Sequence, residues 1–205
     1  MIQQNIAGQD VSRETIERLE LFAALATKWT RKINLVSAST VGDIWDRHIV
    51  DSAQIFQFAP SSFNNWVDIG SGGGFPGIVV AAMSKDINPE AGFTLIESDQ
   101  RKCAFLRTAA RELEIEVTVL AQRIDVALPQ NADVMSARAL SSLTELMPHF
   151  QRHLRPEGVA LLHKGRKWSD EVQQSRKEWV FEIEDYPSMT DDEARIIKLN
   201  RIDSV

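Results

Sequence analysis

Cysteine is nearly absent from the 205-residue chain: Cys103 stands alone, which excludes an internal disulfide and any cysteine-based zinc site. A reducing compartment, the cytoplasm, is the expected setting. The start, MIQQNIAGQD, lacks the basic stretch and apolar core of a signal peptide. No apolar run is long enough to span a bilayer, so no membrane partner is expected. Nor does any His, Asp or Glu cluster have metal-ligand spacing, and no metal is expected. Positive charge is also in short supply. The chain has 23 Lys and Arg against 29 Asp and Glu, a net charge of −6, which argues against a general nucleic-acid binder. A local basic footprint stays open, because Arg101, Lys102, Arg107 and Arg111 form one cluster and Lys164, Arg166 and Lys167 another. Charges of this kind read equally well as a solvated face.

What is present is an alternation of short apolar runs with amphipathic stretches. Residues 12–32 read as a helix, with Ser12 as N-cap and Ile16, Leu19, Phe22, Ala26 and Trp29 at helical spacing. Residues 40–57 read as a second helix, capped by Thr40, with Ile44, Trp45, Ile49, Ala53 and Phe56 as its buried face. A break at Pro60 follows. Two units are therefore expected: a helical extension over 1–60 and one compact core over 61–205. Within the core, strands are predicted at 66–70, 93–98, 117–121, 132–137 and 159–164, with helices at 76–84, 100–114, 141–153 and 169–178. RPEG (155–158) is expected to turn the chain. The last two strands, 180–186 and 194–200, leave no room for a crossover helix and should pair antiparallel. The implied fold class is α/β, a parallel sheet covered on both faces. A sheet that ends in such a hairpin resembles the Rossmann-like seven-stranded methyltransferase sheet, which is the expected architecture.

DIGSGGGFPG (68–77) follows the first core strand, where ligands bind in open parallel sheets. Gly70, Gly72 and Gly74 would let a ligand lie against bare backbone. Two ligand classes compete. Gly72, Gly74 and Gly77 satisfy the dinucleotide pattern G-x-G-x-x-G, which would make a nicotinamide-dependent oxidoreductase. A carboxylate at Asp68 would repel a pyrophosphate, however, and Pro76 removes an N–H from the helix start. S-adenosylmethionine has no phosphate and carries an ammonium and a sulfonium, which suits Asp68. Glu97, at the end of the second strand, falls where an acid accepts from ribose hydroxyls in either class.

Several segments resemble the small-subunit (16S) ribosomal RNA guanine-N7 methyltransferases, formerly called glucose-inhibited division protein B. WTRKINLVSAS (29–39), RHIVDS (47–52), DIGSGGGFPGI (68–78), ESDQRKCAFLR (97–107), SARALSSL (136–143) and LLHKG (161–165) match that family's motifs in its order. The departures are Glu97 for the commoner Asp, an interchanged basic pair at 101–102, and Val36 for Thr. The resemblance implies S-adenosylmethionine as cofactor and methylation of one guanine in 16S ribosomal RNA or the small ribosomal subunit. It implies donor contacts at Gly70 and Phe75, at the adenine-bracketing pair Ile124 and Asp125, and at Arg138.

Guanine N7 offers an exposed lone pair, so placement rather than a general base would carry the reaction. Arg138 and Lys164 are the placement candidates, Arg138 at the junction of donor and guanine and Lys164 on a phosphate or base edge. Arg31, Lys32, Arg101, Lys102, Arg107, Arg166, Lys167 and Arg195 are the candidate RNA contacts. His48 reads either as a structural histidine bonded to Asp51 or as part of a roof over the donor pocket. A monomer is expected. A non-catalytic interaction protein on the same fold stays open beside these alternatives.

Overall fold

The alternation of apolar runs and amphipathic stretches folds as a sheet between helical layers. In the computed structural model, which describes residues 4–205, seven strands form this sheet. They are β3 (Asn65–Ile69), β4 (Gly92–Glu97), β5 (Thr118–Ala121), β6 (Ala132–Arg138), β7 (Leu154–Lys164), β8 (Trp179–Pro187) and β9 (Arg195–Ser204). Their order is β5-β4-β3-β6-β7-β9-β8. The first five run parallel, and β9 lies antiparallel between β7 and β8, as the short connection required. Helices α3 (Gly77–Ile87), α4 (Gln100–Glu112), α5 (Leu143–His153) and α6 (Trp168–Ser175) cover its faces. The chain steps outward from β3 to β5 and then returns to β6 beside β3. A crevice therefore opens at the carboxyl ends of β3 and β6.

The middle of the sheet is held by burial and by one polar thread. Trp66, Ile69, Leu95 and Ile96 are fully buried, each contributing on the order of 1.5–3 kcal/mol. The Trp66 indole N–H donates to Ser136 Oγ at 2.9 Å, and that hydroxyl donates to Asp68 Oδ1 at 2.6 Å. Strands β3 and β6 are thus tied beneath the crevice.

The N-terminal extension departs from its expected form. It opens with a hairpin, β1 (Gln4–Ile6) and β2 (Gln9–Val11), whose turn places Ala7 and Gly8 at positive φ. Residues 1–3 of the expected extension lie outside the described ones. Helix α1 (Arg13–Thr30) follows, with Ser12 Oγ accepting the Thr15 N–H at 3.0 Å. The second expected helix is broken. Val41–Asp43 and Gln54–Phe58 are 3₁₀ turns, Trp45–Val50 is a π-helical stretch, and only α2 (Asp51–Ala53) is α. Thr40 makes no cap bond. Arg138, at the end of β6, donates to the Arg47 carbonyl at 2.7 Å, and that tertiary bond competes with a regular helical ladder. The extension packs onto the core: Phe22 lies 5.0 Å from Phe75 and 6.2 Å from Phe105 between ring centroids.

RPEG does not turn the chain away but lies within β7, where Leu154 already pairs with Ala132 and a bulge follows. Arg155 is fixed there by Asp133 at 2.6 Å. A Cβ on Gly158 would stand 2.6 Å from the Ala132 carbonyl oxygen, so glycine lets β7 run this close to β6.

Candidate functional site

The crevice holds a cleft of about 650 Å³. Its floor is the loop Gly70–Gly73 after β3, and its sides come from Glu97 and Ser98 after β4, Gln122–Asp125 after β5, and Arg138–Leu140 after β6. The extension closes one side with Leu35–Ser37, Thr40 and His48. Gly70 has φ +63°, and a Cβ there would collide with the Leu140 side chain that covers it. The loop can be followed by Leu140 only because residue 70 is bare.

Glu97 joins two of these loops. Its Oε2 accepts the Gly72 N–H at 2.8 Å and its Oε1 accepts the Asp99 N–H at 2.8 Å. Asp99 in turn caps α4 through the Arg101 N–H at 2.8 Å. The carboxylate is 9% exposed on the cleft wall, with lone pairs left for hydroxyl donors.

Asp68 behaves differently from its sequence expectation. Strand β3 turns it under the loop, and it does not line the cleft; it is fully buried. Burial raises its pKa to about 6, against the lowering effect of Ser136, Ser71 and the Gly77 backbone. Oδ2 has no partner within hydrogen-bond geometry, although it sits 2.7 Å from where a Gly77 Cβ would be. The carboxylate is anchored to β6 beneath the loop, away from the cleft surface. Gly74 likewise faces Ile78 and Phe22 rather than the cleft. Gly77 packs on Asp68 and Leu95, and the first turn of α3 is buried behind Phe75 and Pro76. A pyrophosphate therefore has no access to this helix start, which removes the dinucleotide alternative.

Arg138 is the hub of the opposite wall. Nε pairs with Asp51 Oδ2 at 3.0 Å, one terminal nitrogen donates to His48 Nδ1 at 3.0 Å, and the other takes the Arg47 carbonyl. Burial lowers its pKa from the usual guanidinium value and Asp51 opposes this. Since arginine can only donate, His48 Nδ1 accepts, and Nε2–H donates to Thr40 Oγ1 at 2.8 Å. Burial and then Arg138 hold the His48 pKa down at about 4, so the ring is neutral at pH 7. His48 does not bond Asp51 directly; Arg138 stands between them. The imidazole packs on Phe75 at 5.0 Å, and the Arg138 guanidinium lies 6.0 Å from the same ring. Sequence reasoning singled out Arg138, Phe75 and His48 separately. It missed their shared contact and the cleft-lining Thr40, Leu140 and His149.

Ile124 and Asp125 reach the cleft, with Asp125 half-exposed and held by Arg123 at 3.0 Å. Lys164 is not available to a phosphate. It is 8% exposed, and its ammonium donates to Glu171 and to the Ser141 carbonyl, each at 2.8 Å. Of the basic candidates, Lys102 lines the cleft. Arg31 and Lys32 precede the lining segment 35–37, Arg101 stands in the first turn of α4, and Arg166 and Lys167 follow β7; all five are exposed at the carboxyl edge of the sheet. Arg195 opens β9 at that edge. Arg101 is paired with Asp99 at 3.0 Å. Arg107 does not join them: it lies midway along α4 and donates to the Val119 carbonyl at 3.0 Å. Among the described residues no group of three His, Cys, Asp or Glu could hold a metal ion, and no helix is long and apolar enough to cross a membrane.

Residues 15–196 match the family model described as rRNA small subunit methyltransferase G, GidB. The chain is similar to the ribosomal RNA small subunit methyltransferase G of Ruegeria sp. (strain TM1040), 49% identical over 196 residues that cover 96% of this chain and 95% of that one. In fold it is similar to a SAM-dependent methyltransferase from Aquifex aeolicus, with a TM-score of 0.58 at 12% identity, covering 84% of this chain and 96% of the other. It is also similar to the 16S rRNA methylase RmtB, with a TM-score of 0.55 at 17% identity, covering 96% and 78%.

Proposed function

Because the chain belongs to the rRNA small subunit methyltransferase G family, we propose that it methylates N7 of one guanine in 16S ribosomal RNA, as a cytoplasmic monomer using S-adenosylmethionine. The observation that carries this is the cleft itself: a bare glycine floor, Glu97 on one wall and apolar Phe75, Ile124 and Leu140 around it. The donor set fits a nucleoside without phosphates. Glu97 can accept from ribose hydroxyls, and Ile124 with Leu140 offers apolar surface to a base. Among the described residues the cations of the cleft, Lys102, Arg123 and Arg138, stand on its walls rather than on the glycine floor, and the helix start that would bind phosphate is closed.

S-adenosylmethionine, when bound, supplies an electrophilic methyl group. The chain's own contribution is positional. N7 has a free lone pair, so no side chain must first remove a proton. His48 could not serve as a base in any case, because both ring nitrogens are engaged. Arg138 fixes the Arg47–Asp51 segment and His48 against Phe75, which holds one wall of the cleft in a single shape. Such placement can account for several kcal/mol of barrier, on the order of 7 in good cases. Exposed Arg31, Lys32, Arg101, Arg166 and Lys167 at the carboxyl edge, together with Arg195, support a local basic patch for RNA despite the net charge of −6.

The test is transfer of labelled methyl to small ribosomal subunits from a strain lacking the modification, followed by mapping of the modified nucleotide. Label on a single guanine, at N7, is expected. Label elsewhere, or none, would remove this proposal.

A further inference from the structure

A second cavity, about 210 Å³, opens on the other side of Arg138. Arg138 and Ala139 line both it and the donor cleft, so the two are separated by one side chain and one stretch of backbone. Its far walls come from the ends of β7 and β9 and from the β8–β9 loop, where Ser188, Thr190 and Asp191 face Arg47 and Asp51.

The charges around this cavity divide into groups held by close hydrogen-bonded pairs and groups held only by loose ones. Asp51 is satisfied: it pairs with Arg138, and its Oδ1 accepts Thr190 Oγ1 at 2.6 Å and Gln54 Nε2 at 2.8 Å. Lys164 is neutralised by Glu171. Two arginines at the mouth sit in loose ion pairs that leave N–H donors unused. Arg47, 49% exposed, makes no side-chain hydrogen bond among the described residues and approaches only Asp191, at 3.9 Å. Arg195 spends one terminal nitrogen on the Asp192 and Ala194 carbonyls and stands 3.8 Å from Asp185. At these separations neither carboxylate accepts a hydrogen bond from its arginine. The mouth therefore presents guanidinium donors in the fork geometry that suits a phosphate.

We propose that this cavity is the acceptor-nucleotide subsite, in which Arg47 and Arg195 grip the phosphodiester of the RNA strand so that the nucleotide reaches the donor cleft past Arg138. The inference rests on the RNA methyltransferase function proposed above; it adds the entry route and Arg47 as a contact, and gives Arg195, already in the basic patch, a defined place. Arg47 acts here through its side chain, while its carbonyl is one of the groups that fix Arg138. The strand would thus grip the same π-helical segment that shapes the donor wall, which gives the broken helix a use that a regular helix would not have.

The test is equilibrium binding of unmodified small ribosomal subunits to the protein saturated with S-adenosylhomocysteine, over a salt series, for the parent and for Arg47→Gln, Arg195→Gln and Lys177→Gln. Lys177 lies at the opposite edge of the sheet, beyond α6, and serves as the control. Each arginine variant should bind about tenfold more weakly at ~0.1 M salt, and its log–log salt slope should be shallower by about 0.7. Binding of S-adenosylhomocysteine, measured separately, should not change. Parent-like subunit binding by both arginine variants would overturn the subsite, as would an equal loss in Lys177→Gln, which would indicate only a diffuse field. If the parent bound the small molecule but failed to methylate the subunit, the RNA function would fall, and the subsite with it.

Discussion

Asp68 gives the sharpest physical prediction, because its environment is closed and its pKa is displaced a long way. The group moves from an ordinary 3.8 to about 6 on folding, mainly through burial. A folded-state pKa raised in an acid means that the native protein holds the proton more tightly than the unfolded chain. The associated stability is complete below about pH 3.8 and is lost as pH rises through about 6. Two pK units correspond to about 3 kcal/mol. His48 works in the opposite sense. Its pKa is depressed to about 4, so its stability is present above pH 6.5 and lost as pH falls through 4. The two slopes oppose one another between pH 4 and 6, and His149, His153 and His163, also depressed by burial, add to the histidine side, so the difference between variant and parent is what isolates Asp68. Asp68→Asn keeps an acceptor for Ser136 Oγ and removes the titration. Urea denaturation from pH 4.5 to 7.5 should then show the variant gaining on the parent as pH rises, by about 2 kcal/mol over this window, and losing stability more steeply in acid. A difference between the two proteins that does not vary with pH would refute the claim that a buried, proton-binding Asp68 lies under the loop.

Gly77→Ala should destabilise by about 1–3 kcal/mol in urea titration, because its Cβ would meet Leu95 and Asp68. Gly165→Ala, with nothing within 4 Å, should show no such crowding. Glu97→Gln should weaken S-adenosylhomocysteine binding about tenfold by calorimetry, since the variant weakens the acceptor for the Gly72 N–H and for ribose hydroxyls alike. Arg138→Ala leaves Asp51, whose side chain is 14% exposed, without its cation, and should cost about 3 kcal/mol of stability. In single-turnover assays the same variant should slow methyl transfer about a hundredfold through misplacement of the wall. Near-parental turnover would remove Arg138 from the positioning role.

The sheet was legible because each core strand is a short apolar run ended by a turn residue, and because the final pair leaves no length for a crossover. What the sequence did not disclose was set by distant partners. The apolar spacing of Ile44, Ile49, Ala53 and Phe56 is helical, yet Arg138, about 90 residues away, breaks the ladder by taking the Arg47 carbonyl. Lys164 read as a free cation, but Glu171, on the next helix, neutralises it. Asp68 is adjacent to the glycine loop in sequence, and strand geometry turns it beneath that loop. The N-terminal hairpin has strands of three residues each, too short for a periodic signal. The lone hint was Gly8, in the turn at positive φ.

The claim on which the rest depends is that the glycine-floored cleft above β3 takes a sulfur-containing nucleoside. Calorimetric titration of the unmodified chain with S-adenosylhomocysteine and, in parallel, with NADH tests it most directly. One-to-one binding of the thioether, abolished when Gly70→Val fills the floor, with no heat from the dinucleotide, is the predicted result. Saturable binding of NADH, with none of S-adenosylhomocysteine, would contradict it.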